Sequence, residues 1–278
     1  MITLCAPQQI KDYLKSAKKM GKTIGLVPTM GSLHQGHISL IEQASQQCDL
    51  VVVSIFVNPS QFNDQIDLAN YPRNKIADEK IAQQAGCDVL FYPSVQDMYP
   101  NKYNTWVLVD GLDDILEGKF RPGHFRGVAT IVTKLFGIIN PDKAYFGEKD
   151  FQQLAVVERL VKDLFLSIEI IRCPTLREET GLALSSRNIG LDQKAKLQAQ
   201  LLFQAMLKAR EEVELGNEDV DSIKTFVKQF LKKDLINLEY VEIINPADFS
   251  IADKAIPGYR ILLAAKVGQV RLIDNLEL

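Results

Sequence analysis

Cysteine is scarce in this chain of 278 residues: Cys5, Cys48, Cys87 and Cys173 stand far apart and form no CxxC pair. That spacing excludes a disulfide framework and a structural zinc site, and leaves four thiols expected to stay reduced. There is one tryptophan, and there are three histidines. Neither a GxGxxG turn nor a GxxxxGK[ST] loop occurs, so both common phosphate cradles are missing. Charge of one sign is missing as well: 32 basic against 35 acidic residues leave a formal charge of −3. A chain so balanced has no global field for a polyanion, which argues against a nucleic-acid partner and requires any bound phosphate to be held locally. The longest strongly apolar stretch, LVVVSIFV from Leu50, falls far short of the roughly 20 residues that span a bilayer. The first twenty residues carry lysines through an amphipathic pattern and lack the apolar stretch of a signal peptide. A soluble, cytoplasmic protein with no membrane partner is the expectation, and no internal repeat or low-complexity tract alters it.

What is present is ordinary globular usage, 46% hydrophobic and 24% charged, in a length that suits two modest domains or one large one. Up to about Cys173, short β-branched runs alternate with segments of helical period. The strands are predicted at Thr23–Pro28, Leu50–Val57, Asp88–Tyr92, Lys143–Phe146 and Ile168–Arg172, the helices at Ile38–Gln47, Asn74–Ala85, Val128–Ile139 and Phe151–Phe165. Strands that run almost wholly apolar fit a parallel sheet covered on both faces, hence an open α/β layout. Beyond about Arg187 the texture changes to two charge-rich amphipathic segments, Asp192–Leu215 and Asp219–Lys233, followed by LEYVEII, YRILLAAKV and VRLIDNL. Two helices and then three strands predict a smaller α+β domain. The division falls at 1–175 and 176–278, with Pro174–Gly190 as the candidate linker.

The first chemical constellation is PTMGSLHQGH, residues 28–37, where the first predicted strand hands over to a helix. In an open α/β sheet, ligands bind beyond the carboxyl ends of strands, and a helix start offers unpaired N–H groups and a positive dipole end. Gly31 and Gly36 permit close approach, and His34 and His37, three apart, face one side. An HxxH pair is also a metal half-site, but no third histidine and no cysteine stand near it in the chain. Satisfied surface or core histidines are the bland reading, and two of three histidines falling in one turn count against it.

Further along lie FVNPSQF (56–62), RPGHFRGV (121–128), FGEKDFQQ (146–153) and LSSRN (184–188). Taken singly each has a plain explanation. Asn58-Pro59 is turn chemistry, Lys149 and Asp150 make a solvated first-turn pair, and Gln61 and Gln153 are loop and helix surface. Taken together, strand ends along one sheet edge deliver His, Asn, Gln, Lys and Arg to one rim, which is a site hypothesis in its own right.

These five segments, in this order, resemble those of the pantothenate synthetase (pantoate–β-alanine ligase) family, a branch of the HxGH nucleotidylyl-transferase superfamily. The resemblance implies a Rossmann-like open parallel sheet that binds nucleotide and pantoate, with the smaller C-terminal α+β domain as a lid. It implies ATP-dependent condensation of pantoate with β-alanine through a pantoyl adenylate, releasing AMP and pyrophosphate. By the same resemblance Met30, Gly31, Ser32, Leu33, His34, Gln35, Gly36 and His37 wrap the ATP, and His37 donates to the phosphate charge with His34 assisting. Lys149, Ser185, Ser186 and Arg187 hold the triphosphate. Gly147 allows close approach, Asp150 accepts from the ribose, Leu176 contacts adenine through its backbone, and Glu148 and Leu184 complete the ATP-binding set. Gln61 and Gln153 take pantoate. Mg2+ bridges the phosphates, with Asp78 its expected carboxylate, and the protein is expected to be a homodimer.

Overall fold

A computed structural model describes residues 1–278. The chain divides into two compact units, Met1–Glu148 with Gln152–Pro174, and Lys149–Phe151 with Thr175–Leu278.

The first unit runs β1 (Ile2–Leu4), α1 (Pro7–Lys19), β2 (Ile24–Thr29), α2 (Gln35–Gln47), β3 (Leu50–Ile55), α3 (Gln65–Asn70), α4 (Lys75–Gln84), β4 (Val89–Phe91), α5 (Val95–Met98), α6 (Glu117–Phe120), α7 (His124–Ile139), β5 (Lys143–Gly147), α8 (Phe151–Asp163) and β6 (Glu169–Cys173). All its strands pair in parallel, in the order β1-β4-β3-β2-β5-β6. Strand neighbours alternate in face, which explains the apolar runs. Val27, Val51 and Val53 pack with Ile41 and Ala44 of α2 and Ala82 of α4. Leu26, Val52 and Phe91, of the opposite parity, are equally buried, so both faces are covered. From β2 the chain adds β3 and β4 on one side, then returns to add β5 and β6 on the other. The order therefore reverses between β2 and β5, where open α/β sheets form their crevice.

The second unit carries α9 (Gln193–Glu214), α10 (Val220–Phe230) and an antiparallel meander of β7 (Ile236–Ile244), β8 (Arg260–Val267) and β9 (Val270–Glu277). Alanines 199, 205 and 209 on α9 give a small-residue stripe that packs on Ile243, Ile261, Leu263 and Ala265 of the sheet and Ile223 and Val227 of α10. The α/β and α+β layouts are those predicted.

Two differences from the predicted layout have local causes. Strand β1 is three residues long at a sheet edge and half exposed, too short to leave a period. The segment expected as a linker is folded instead: Thr175 onward belongs to the second unit, and Arg177 pairs with Ala183 across a turn at Gly181. The Arg177 guanidinium makes a two-pronged ion pair with Asp274 at 2.6 and 2.8 Å, donates to the Gly181 and Asn275 carbonyls, and lies 4.0 Å over the Phe203 ring. Lysine cannot reproduce that fork, so Arg177→Lys is expected to lower stability by about 1–2 kcal/mol, read as a lower urea midpoint with an unchanged slope. An unaltered midpoint would show that the fork contributes nothing.

None of the four cysteines is in a disulfide. Burial pushes the Cys87 thiol up to about 12 and the Cys173 thiol to about 11, which keeps both protonated and unreactive. No helix is long and apolar enough to cross a membrane.

Candidate active site

The turn after β2 is built by side chains that catch its backbone. Thr29 Oγ1 donates to the Ser54 carbonyl of β3 at 2.8 Å and accepts the Gly31 N–H at 3.2 Å. The chain then passes through two left-handed residues, Gly31 at φ +83° and Ser32 at φ +53°. Ser32 carries a Cβ, so this conformation costs about 1–2 kcal/mol and must be held from outside. Asp78, in the first turn of α4, accepts the Ser32 N–H at 3.0 Å and the Leu33 N–H at 2.8 Å, one on each carboxylate oxygen. A Cβ on Gly31 would come within 2.9 Å of Asp78 Oδ2, which explains why this position has none.

Asp78 is thus not disposed as the expected magnesium ligand. It is buried, its oxygens are turned to main-chain amides, and no cluster of three or more His, Cys, Asp or Glu able to hold a metal exists in the chain.

The two histidines close the turn reciprocally. His34 caps α2, its Nδ1 accepting the Gly36 N–H at 3.1 Å, while His37 Nδ1 accepts the His34 N–H at 3.3 Å. The rings lie 4.1 Å apart at 41°. A ring nitrogen that accepts carries no proton, so each neutral imidazole bears its hydrogen on Nε2. Both rings are therefore poised as Nε2–H donors.

The turn after β3 holds Gln61 beside this loop. Asn58, fully buried, accepts on Oδ1 from the Ser60 hydroxyl at 2.8 Å and the Tyr99 hydroxyl at 2.9 Å, and its Nδ2 donates to Gln61 Oε1 at 3.0 Å and to the Gly127 carbonyl at 3.1 Å. With Oε1 so engaged, the Gln61 amide turns Nε2 toward Met30, 3.0 Å from its sulfur. Gln61 presents donors, not an acceptor, on the cradle side. The Gln61 main-chain carbonyl faces His124 Nδ1 at 2.8 Å, so that ring is protonated on Nδ1 and its Nε2 accepts from the Arg121 guanidinium at 3.3 Å. Burial raises the Tyr99 phenol above its ordinary value and keeps it a neutral donor.

The remaining expected residues lie further along. Gly147 ends β5 opposite Cys173, and Glu148 starts the following turn. Gln153 is half-buried near the start of α8. Within the second unit, Lys149 lies 3.7 Å from the Asp150 carboxylate, and its carbonyl accepts from Asn275 Nδ2 at 3.0 Å. The Leu176 carbonyl takes the Leu184 N–H, and Ser185 caps the short helical turn that presents Ser186 and Arg187. The structure brings residues 29–37, Gln61 and Asp78 together in the first unit, and Lys149, Asp150, Leu176 and Leu184–Arg187 belong to the second, with Asp150 at the side of Lys149.

Sequence reasoning gave no role to Thr29, Asn58, Tyr99 or His124. Asn58 reads as turn chemistry beside proline, and nothing local reveals that it organises an amide three residues on.

The family model for pantoate-beta-alanine ligase matches residues 3–277. A pantothenate synthetase of Caldicellulosiruptor bescii is 47% identical over 277 residues, 99% of this chain and 98% of the relative. The solved pantothenate synthetase of Thermus thermophilus superposes with a TM-score of 0.94 at 41% identity, covering 100% of this chain and 99% of that one. A pantoate-beta-alanine ligase of Francisella tularensis, solved as a complex with beta-gamma ATP and beta-alanine, gives a TM-score of 0.83 at 38% identity, covering 100% and 97%.

Proposed function

The chain belongs to the pantoate–β-alanine ligase family, and we propose that it condenses pantoate with β-alanine by first making a pantoyl adenylate on the residue 29–37 cradle. It is a ligase driven by ATP. One observation carries the reading of the cradle: a turn at the sheet's switch point presents two Nε2–H imidazoles beside a buried amide whose Nε2 is turned to Met30 of the same turn.

In the first step an oxygen of the pantoate carboxylate attacks the α-phosphorus and the bond to the bridging β-phosphate oxygen breaks, releasing pyrophosphate. Negative charge accumulates on the transferring phosphoryl group and the leaving oxygen. Donors already oriented at that charge lower the barrier without reorganising, which is the role assigned to His37 Nε2–H with His34 Nε2–H assisting. Gln61, joined by Gln153, orients pantoate: a neutral amide donor holds the carboxylate without neutralising the lone pair it must use. In the second step the β-alanine nitrogen attacks the acyl carbon, the acyl–oxygen bond breaks, AMP leaves, and the nitrogen loses a proton to give the amide.

Lys149 as a compact charge, Arg187 as a planar fork and Ser185 and Ser186 as short donors are assigned the triphosphate, with Asp150 for the ribose. Magnesium bound with ATP would supply charge neutralisation on the phosphates, and the chain itself offers no group of three or more His, Cys, Asp or Glu to hold it. The Asp78 geometry supports this, since that carboxylate is already engaged. Four thiols outside any disulfide suit a reducing cytoplasm, and a homodimer completes the proposal, to be checked by sedimentation.

The test is exchange of labelled pyrophosphate into ATP. Exchange that requires pantoate and does not require β-alanine is expected. Exchange indifferent to pantoate, or its complete absence, would remove the adenylate from the reading.

A further inference from the structure

We propose that Asp78 is a positioning residue for nucleotide binding, acting through the Ser32 and Leu33 main-chain amides and not through a metal. This rests on the assignment of residues 29–37 to ATP.

Three observations converge on it. First, each carboxylate oxygen is committed to one loop amide, across 46 and 45 residues of chain, at 3.0 and 2.8 Å. Second, the amides it holds follow directly on a strained backbone. Gly31 and Ser32 are both left-handed, and a residue with a Cβ stays in that region only when its surroundings over-determine it. Asp78 is the group that determines it here, and the absent Gly31 side chain is the space it occupies. Third, the carboxylate is 3% exposed and has no cation paired with it. Two N–H donors and the positive end of α4, capped by Asn74, stand in for one.

The placement is otherwise unfavourable. A buried negative charge next to the seat of a polyanion repels it, so the contribution of Asp78 to ATP binding is positional. Released from Asp78, the turn can relax out of the left-handed pair. His34, two residues past Ser32, would then lose the entry angle from which its ring caps α2 and accepts the Gly36 N–H. His37, whose Nδ1 takes the His34 N–H, follows it. One carboxylate thus sets the direction of both Nε2–H donors without touching the ligand.

Asp78→Asn is the discriminating variant because it keeps the shape but turns an NH2 against one of the two amides. In pyrophosphate exchange, kcat/KM for ATP is expected to fall about 10- to 100-fold, the scale of a sub-ångström to 1 Å misplacement, while KM for pantoate stays within about twofold. The magnesium concentration giving half-maximal rate should match the wild type. Unchanged ATP kinetics would overturn the proposal, and so would rescue of Asp78→Asn by excess magnesium, which would make Asp78 a metal ligand. Hydrogen exchange on the unliganded wild-type chain gives a second measurement that needs no variant to fold. Slow exchange at Ser32 and Leu33 supports the pin, and exchange at the rate of an open loop refutes it. If the wild type shows no pantoate-dependent exchange, the reaction assigned above fails, whereas amide protection still decides whether Asp78 holds the turn.

Discussion

Replacing His37 by alanine is expected to lower the rate of adenylate formation by roughly 10²–10⁴, the range for removing one positioned donor or acid. Two functions are lost together. The Nε2–H assigned to the phosphate charge disappears, and so does the Nδ1 that accepts the His34 N–H and closes the start of α2. Two further variants separate them. In His37→Asn a carbonyl oxygen can take over the Nδ1 position, so the cap is kept and the Nε2 donor is lost. In His37→Gln the amide reaches toward the Nε2 position while the capping acceptor is displaced. If donation dominates, His37→Asn should be nearly as slow as alanine yet unfold close to the wild-type temperature. His37→Gln should recover part of the rate while losing about 1 kcal/mol of stability, the usual worth of an N-terminal cap. Single-turnover pyrophosphate release measures the first property and thermal unfolding the second. A His37→Asn enzyme of wild-type rate would strip the imidazole of its chemical role and leave it only the architectural one.

Gly127→Ala is expected to be the other severe substitution. Alanine is the better helix former by about 1 kcal/mol, and Gly127 lies within α7, so the helix itself would gain. The surroundings decide otherwise. A Cβ there would lie 2.5 Å from the Ser60 carbonyl oxygen, 2.6 Å from its carbon and 2.7 Å from the Gln61 nitrogen. All three are main-chain atoms and cannot rotate away. Overpacking of this kind typically costs 1–3 kcal/mol, so the expected net change is a loss of about 0–2 kcal/mol. The larger effect is on activity. Pushing α7 away from residues 58–61 strains the Asn58 bond to the Gly127 carbonyl and the His124 bond to the Gln61 main-chain carbonyl, which anchor the amide that holds Gln61 Oε1 and the Gln61 backbone. Loss of about 100-fold in kcat/KM for pantoate is expected from a displacement near 1 Å, with ATP affinity measured by titration preserved, because the bonds that shape the β2 turn are elsewhere. Gly137→Ala in the same helix is the control, since a methyl group added there would meet nothing within 4 Å; it should be neutral or slightly stabilising. Wild-type pantoate kinetics in Gly127→Ala would show that Gln61 is not held in the way described.

The architecture was legible where burial writes a period into the sequence. LVVVSI gives β3 because every residue of it is buried, and α9 and α10 show their apolar stripes plainly. Where burial is partial the signal fades, as at Ile2–Leu4, an edge strand of three residues; the first turn of α7 is mostly buried, but His124, Arg126 and Gly127 leave Phe125 alone to mark its apolar face. The site divides along the same line. HxGH and the flanking glycines mark the turn, because they serve local backbone geometry. The groups that hold it act across the fold. Asp78 reaches the turn from 45 residues away and His124 reaches Gln61 across 63, and no spacing rule connects such pairs. The two amides that Asp78 holds went unforeseen for this reason: a lone carboxylate in a helix looks the same in sequence whether it faces a cation or two amides.

The residues 149–151 belong to one compact unit while the chain on either side of them belongs to the other. The polypeptide consequently changes unit three times, after 148, after 151 and after 174, and no single cut yields two self-sufficient halves. A fragment stopped at Pro174 would retain Lys149 but lack Asn275, whose Nδ2 donates to the Lys149 carbonyl. A fragment begun at Thr175 would lack Phe151, over which Arg260 is stacked at 4.1 Å. Swapping the C-terminal third between relatives therefore requires the three-residue piece to be exchanged with it.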